Sequence, residues 1–176
     1  MVRQFLEQRN NHLLHDLDDL TRLLVQAQIP HELLPYRIRI VQRCQELRET
    51  IKLNLKYLAL GQTSIINDVL SWTQQATQGV RLISYIWAIP ILRAKPEDRL
   101  CLHIINWLHQ SHSETVDYPP AFISSNCAIR PSQDITPLYL FPSLEQHHLL
   151  YQPLLFHEFG HFGSPDFDGV SRFGKI

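Results

Sequence analysis

Apolar residues recur at three- and four-residue steps through the first two thirds of the chain, a period that predicts helices rather than strands. From Phe5 to Ala27 the apolar face is Leu13, Leu14, Leu17, Leu20, Leu24 and Val25, with His12, Asp16, Asp19 and Arg22 interleaved. Ile29-Pro30 breaks that helix. A second is expected from about Leu33 or Pro35 to Leu60, carried by Ile38, Val41, Leu47, Ile51, Leu55 and Leu58 and stopped by Gly61. The short link between the two predicts an antiparallel hairpin. Ser64 or Asn67 is placed to cap a third helix containing Ile65, Val69, Leu70 and Trp72, whereas Val80 to Ile89 is apolar without a readable period. Pro96-Glu97-Asp98 opens a further helix, since proline fits the first turn and the acids face the positive end of the dipole. It carries Leu100, Leu102, Ile104, Ile105 and Leu108 and is expected to end near His109.

The pattern changes after Asp117. Pro119, Pro120, Pro131, Pro137 and Pro142 punctuate short runs, Ala121–Ile123 and Ile135–Phe141, which read as short strands or extended chain because proline is confined to edges and ends of sheets. Ser143-Leu144-Glu145-Gln146 has the form of a capping box and begins another helix through Leu150, and Pro153 begins a short last one ending near Phe162, with Gly163 and Pro165 as stop signals. The expected architecture is therefore mainly α: a helical bundle over residues 1–112, then a Pro-rich, partly extended segment over 113–176 that delivers the final helix.

Length and charge narrow the function classes. The chain has 176 residues, enough for one domain with a core or a helical domain plus an appendage, and a net charge of −1, which gives no field to attract nucleic acid or a membrane surface. Neither is expected as a partner. Its three cysteines, Cys44, Cys101 and Cys127, are far apart and lack C-x-x-C spacing, as expected of a reducing compartment. The first residues lack the apolar core of a secretory signal, and Val80 to Leu92 contains Arg81 and Pro90 and is too short to cross a bilayer. A cytoplasmic location follows as an expectation.

One run carries chemistry. His157-Glu158-Phe159-Gly160-His161 is an H-E-x-x-H motif, and two imidazoles four residues apart on a helix share a face on which they can hold one Zn²⁺. Glu158 lies alongside, where it can take a proton from a metal-bound water. On a helical wheel Leu155, Phe159 and Phe162 occupy the opposite side and can bind the helix to a core, while Gly160 flanks the histidines and lets a substrate or another backbone approach.

Over about ten residues, this run resembles the active helix of the zincin superfamily of metallopeptidases, often H-E-(apolar)-G-H. The resemblance implies His157 and His161 as zinc ligands, Glu158 as general base and later proton donor, and a peptide or protein as substrate. Zincins supply a third ligand from a later glutamate or from an x-x-G-x-x-H continuation. Here Gly163 comes one residue early and no histidine follows His161, so Asp166, three residues beyond that glycine, is the candidate third ligand, ahead of Asp168 and of His147 or His148 upstream. A chain truncated before its ligand-bearing element is the other expectation.

Other candidates are read as structural. His103, His109 and His112 around Trp107, like His12 and His15, have spacings that could hold a metal but fit a polar helix end, and Asp16, Asp18 and Asp19 fit a solvated face. His31-Glu32-Leu33-Leu34-Pro35 starts like the zinc motif but has proline in place of the second histidine. Arg48, Lys52 and Lys56 are diluted by Glu46 and Glu49. Two functions from different classes remain: a zinc-dependent hydrolase of the metallopeptidase kind, or a noncatalytic helical module for protein–protein interaction or self-association as a homo-oligomer.

Overall fold

The structure is a computed structural model that describes residues 1–61, 63–124, 128–130 and 135–141 together with positions 153, 156, 157, 159 and 160. It is mainly helical, with five α-helices and three short strands among the described residues. The chain divides into two compact units, Met1–Ala27 with Arg37–Leu92, and Gln28–Tyr36 with Arg93–Ile176.

The first unit is built on α1 (Val2–Gln26), α2 (Leu34–Ala59, whose first residues group with the second unit) and α3 (Ile66–Leu82). In α1 the buried positions are Leu6, Asn10, Leu13, Leu17, Leu20 and Leu24, an alternation of four- and three-residue steps that keeps one stripe facing its neighbours. The stripe is narrower than the sequence suggests, since Val25 is 56% exposed, and Leu6 and Asn10 extend it about two turns earlier.

Helices α1 and α2 form the expected antiparallel hairpin. The Arg37 guanidinium donates to the Ala27 carbonyl at 3.1 Å, Arg48 Nε meets Asp18 Oδ1 at 3.0 Å, and Asn54 Nδ2 donates to Asn10 Oδ1 at 3.2 Å, so partners descend one helix as they ascend the other. Arg48 and Asp18 both stay close to half exposed, as on a solvated face, so their pair adds register rather than much stability. Gly61, at φ 71°, turns the chain after α2 in the left-handed region that glycine enters without strain.

Helix α3 runs parallel to α1, with Leu6, Leu58 and Val69 in one buried cluster and Asn10 Nδ2 donating to Thr73 Oγ1 at 2.9 Å. Asn10, Asn54 and Thr73 thus form a polar layer inside an otherwise apolar bundle. Asn10 also donates to the Leu6 carbonyl at 2.8 Å and Thr73 to that of Val69 at 2.7 Å, so each buried polar side chain finds a partner. Neither Ser64 nor Asn67 caps α3. A 3₁₀ turn over Thr63–Ile65 leads into it, and Ile65 stands at the cap position with no side-chain bond.

The unreadable segment after Val80 is helical, with a wide turn. Ile83–Trp87 is a π-helix in which Ala88 N donates to Ile83 O at 2.8 Å, five residues back, and α4 (Ile89–Leu92) follows with Pro90 in its first turn. The extra residue shifts the helical phase. Ile83, Trp87, Ala88 and Ile91 are all buried through this segment.

In the second unit a 3₁₀ turn at Pro96–Asp98 starts α5 (Arg99–Gln110), and the Asp98 carboxylate accepts the Lys95 N–H at 2.7 Å, tying down the helix start that the Pro-Glu-Asp run predicts. Against α5 packs the 3₁₀ turn His31–Leu33. There Glu32 Oε1 accepts from Arg99 Nε at 3.1 Å and His103 Nε2 at 2.9 Å, while its buried Oε2 has no hydrogen-bond partner among the described residues. Burial pushes the Glu32 carboxyl up, but a backbone hydrogen bond and the Arg99 and His103 side chains outweigh it and hold the group below the usual carboxylate range.

Beyond α5 lies a three-stranded sheet in the order β1-β3-β2: β1 (Phe122–Ser124) parallel to β3 (Leu138–Phe141), and β2 (Ala128–Arg130) antiparallel to it. The expected runs supply β1 and β3. Tyr139 pairs with Phe122 on one side and Ile129 on the other, at the centre of the sheet. Among the described residues no helix is long and apolar enough to cross a membrane.

Candidate functional site

Helix α5 buries Cys101, Leu102, Ile105 and Leu108, and the same face carries His109, which is 0% exposed. A polar ring in that position needs partners for both nitrogens. His109 Nδ1 lies 2.8 Å from the Tyr118 carbonyl oxygen, which can only accept, so Nδ1 carries the proton; Nε2, 2.9 Å from the Tyr139 hydroxyl, then accepts. Burial pulls the imidazole below its ordinary value, and the bond to Tyr118 opposes the shift without cancelling it. The ring is neutral. Burial likewise pushes the Tyr139 phenol up, keeping it a donor.

His109 does stand in the last turn of α5, as expected, but as a buried, hydrogen-bonded ring rather than a polar helix end. The histidine joins α5 to the turn after it and to β3, and the Thr115 hydroxyl secures the same place by donating to the His109 carbonyl at 3.0 Å. Thr136 adds a bond to the Pro119 carbonyl at 2.8 Å. The helical period places His109 on the buried arc with Leu102 and Ile105, but the partners that satisfy it lie nine and thirty residues away, beyond the reach of local spacing.

Against this histidine layer rests the motif segment. The described positions 153, 156, 157, 159 and 160 are each helical. Phe159 is 8% exposed, its ring 4.7 Å from that of His112 and 6.3 Å from that of His109. Phe156 meets Trp107 edge-on at 6.0 Å, and both remain well exposed. His157 is exposed, and a Cβ built on the exposed Gly160 would meet nothing within 4 Å among the described residues.

Of the residues read as chemistry, then, His157 is on an exposed helical position. Glu158, His161, Asp166, Asp168, His147 and His148 lie outside the described residues. Among the described residues no three His, Cys, Asp or Glu side chains come together as a ligand set, and the spacing of His109 with His112 is used otherwise: the first is hydrogen-bonded at both nitrogens and the second lies 3.0 Å through Nδ1 from the Leu108 carbonyl. Cys44 and Cys101 are buried and in no disulfide among the described residues, and Cys127 lies outside the described residues. No protein-family model matches this chain, and no curated protein or solved structure matches it.

Proposed function

We propose that this chain is a zinc-dependent hydrolase, with peptides as its substrate class, that holds the metal through His157 and His161 at the end of a Pro-rich, partly extended segment. The observation that supports the reading is the orientation of one helical turn. Phe159 is buried against α5, while His157 two residues before it and Gly160 one residue after it are exposed, with open space around the glycine. A helix anchored by Phe159 has its motif histidines on the far side, since residues 157 and 161 fall within about 40° of each other and roughly opposite 159 at 3.6 residues per turn.

Zinc bound there supplies Lewis acidity and brings water within reach of deprotonation at neutral pH. The protein's part would be to hold the metal through the imidazoles of His157 and His161, to offer the Glu158 carboxylate as proton acceptor and then proton donor, and to keep the Gly160 flank clear for an extended peptide. Asp166 is proposed as the third ligand. The buried His109 layer fixes the base on which Phe159 sits, so it positions the turn without touching the reacting atoms.

Hydrolysis of a mixed peptide library by the zinc-loaded protein, compared with Glu158→Ala, tests the assignment. Glu158→Ala is expected to retain zinc and to lose about 10²- to 10⁴-fold in turnover. Equal turnover in both proteins overturns it. A second reading, a noncatalytic self-association module, draws on Leu23, Val25 and Ile38, which are 55%, 56% and 57% exposed towards the connected end of the α1–α2 hairpin. Concentration-dependent dimerisation that is lost in Val25→Lys, without any Glu158-dependent turnover, is the outcome that favours it.

A further inference from the structure

Because α1 and α3 run parallel, with Leu6 beside Val69 and Asn10 beside Thr73, their outer flanks leave a groove between them. It has a volume of about 570 Å³, within the range of small-molecule sites. Phe5 and Leu70 line its start, Arg9 and Gln74 come next, and Gln78 and Arg81 close it. At about 1.5 Å per residue, Leu70 to Arg81 spans about 16 Å along α3. Phe5 and Leu70 make one end apolar, Arg9 lies about a turn further on, and Arg81 stands at the far end.

The lining has two guanidiniums and no carboxylate. Elsewhere in this unit Arg3, Arg22, Arg43 and Arg48 each pair with an Asp or Glu, whereas among the described residues neither Arg9 nor Arg81 forms a salt bridge. The groove's two threonine hydroxyls donate within α3, Thr73 to the Val69 carbonyl at 2.7 Å and Thr77 to that of Thr73 at 2.8 Å. Donors left for a ligand are the guanidiniums and the Gln74 and Gln78 amides. Arg81 sits in the last turn of α3, but the chain continues helically through Ile83–Trp87, so the cationic end does not face a row of unpaired C-terminal carbonyls that would repel an anion. Phe5 is 61% exposed and Leu70 37% exposed, leaving apolar surface at the opposite end for a hydrocarbon to cover.

We infer that this groove is a binding site for a small amphipathic anion, with a carboxylate or phosphate head on Arg9 and Arg81 and a hydrocarbon tail along Leu70 and Phe5. A planar guanidinium fork matches either head group, and two forks without acidic partners attract it with no ion pair to break first. The site lies in the first unit and does not depend on the zinc helix.

Isothermal titration of the full chain with octanoate, octyl phosphate, octanol and inorganic phosphate tests this. At least one of the two octyl anions is expected to bind one per chain, the preferred head group identifying which acid the site takes. Octanol and inorganic phosphate are expected to bind at least about tenfold more weakly, and Arg9→Gln/Arg81→Gln to weaken the octyl anion about tenfold or more, as loss of charged hydrogen bonds does. Among the described residues Arg9 and Arg81 form no salt bridge, so the double variant should keep the wild-type helical circular dichroism; Arg81→Gln alone serves as the test should it not. Octanol binding as tightly as octanoate, phosphate as tightly as octyl phosphate, unchanged affinity in the arginine variants, or no binding of either octyl anion at millimolar concentration each overturns the inference.

Discussion

Tyr139→Phe removes a single oxygen from a side chain that is 0% exposed, and its consequence can be worked from the two bonds of His109. The ring keeps its place, since the aromatic contact at 5.6 Å between the two residues does not involve the hydroxyl. The acceptor Nε2 loses the donor 2.9 Å away and lies where water does not reach. Exchanging tautomers gives no escape, because the proton on Nδ1 is held by the Tyr118 carbonyl at 2.8 Å, and moving it would strand that oxygen instead. An unmet buried acceptor costs about 1–3 kcal/mol. Unfolding of the whole unit or local opening of α5 relieves that cost, so amide exchange over Cys101–Gln110 should accelerate by about 5- to 150-fold in the fast-closing regime. Hydrogen–deuterium exchange with mass spectrometry reads this directly, and Tyr85→Phe is the control: Tyr85 is 74% exposed, and the change there should move exchange by no more than about twofold. If Tyr139→Phe behaves like the control, the His109–Tyr139 bond does not hold the second unit together.

Protons should act on the same histidine. Its folded value lies below the ordinary 6.5, so the unfolded chain binds the proton first; stability is full above about pH 6.5 and falls as the pH drops through that value toward the folded one, and exchange over α5 that slows on acidification, after correction for the intrinsic rate, contradicts this. A further loss below about pH 4.5 is expected from Glu32, whose lowered value means that its stabilisation disappears as the carboxylate is neutralised, and Glu32→Gln should flatten that limb. In the first unit Asn10→Ala strands Asn54 Nδ2 and should cost about 1–3 kcal/mol in urea unfolding, whereas replacing the layer with Asn10→Leu, Asn54→Leu and Thr73→Val together should recover most of the loss; a triple variant weaker than the single would show that the layer is net stabilising. Gly160→Ala meets no atom and should strengthen its helix by roughly 0.5–1 kcal/mol while lowering peptide turnover, so turnover unchanged in the stabilised variant argues against substrate passing that flank.

Helices were legible where one face is apolar throughout. The α1 stripe, the hairpin, the stop at Gly61 and the α5 start at Pro96–Asp98 all follow from period and local chemistry. The reading weakened where a long-range partner decides the outcome. Asn10 looks like a surface residue until Asn54 and Thr73 supply its partners, His109 like a helix end until Tyr118 and Tyr139 do, and Glu32 like half of a failed zinc motif until Arg99 and His103 face it. The π turn at Ile83–Trp87 inserts a residue that no local signal marks, and β2 lies outside the runs read as extended. At the candidate site His157 is exposed and Phe159 is buried against the rings of His109 and His112. The residues that complete the motif lie outside the described part of the chain.

The central claim is that the turn carrying His157 binds zinc, and metal content measures it most directly. Protein purified without added chelator and analysed by elemental mass spectrometry should carry about one zinc per chain, falling to background in His157→Ala and in His161→Ala while Glu158→Ala keeps its metal. Wild-type protein that takes up no zinc at micromolar concentrations, or zinc that survives both histidine substitutions, would contradict it.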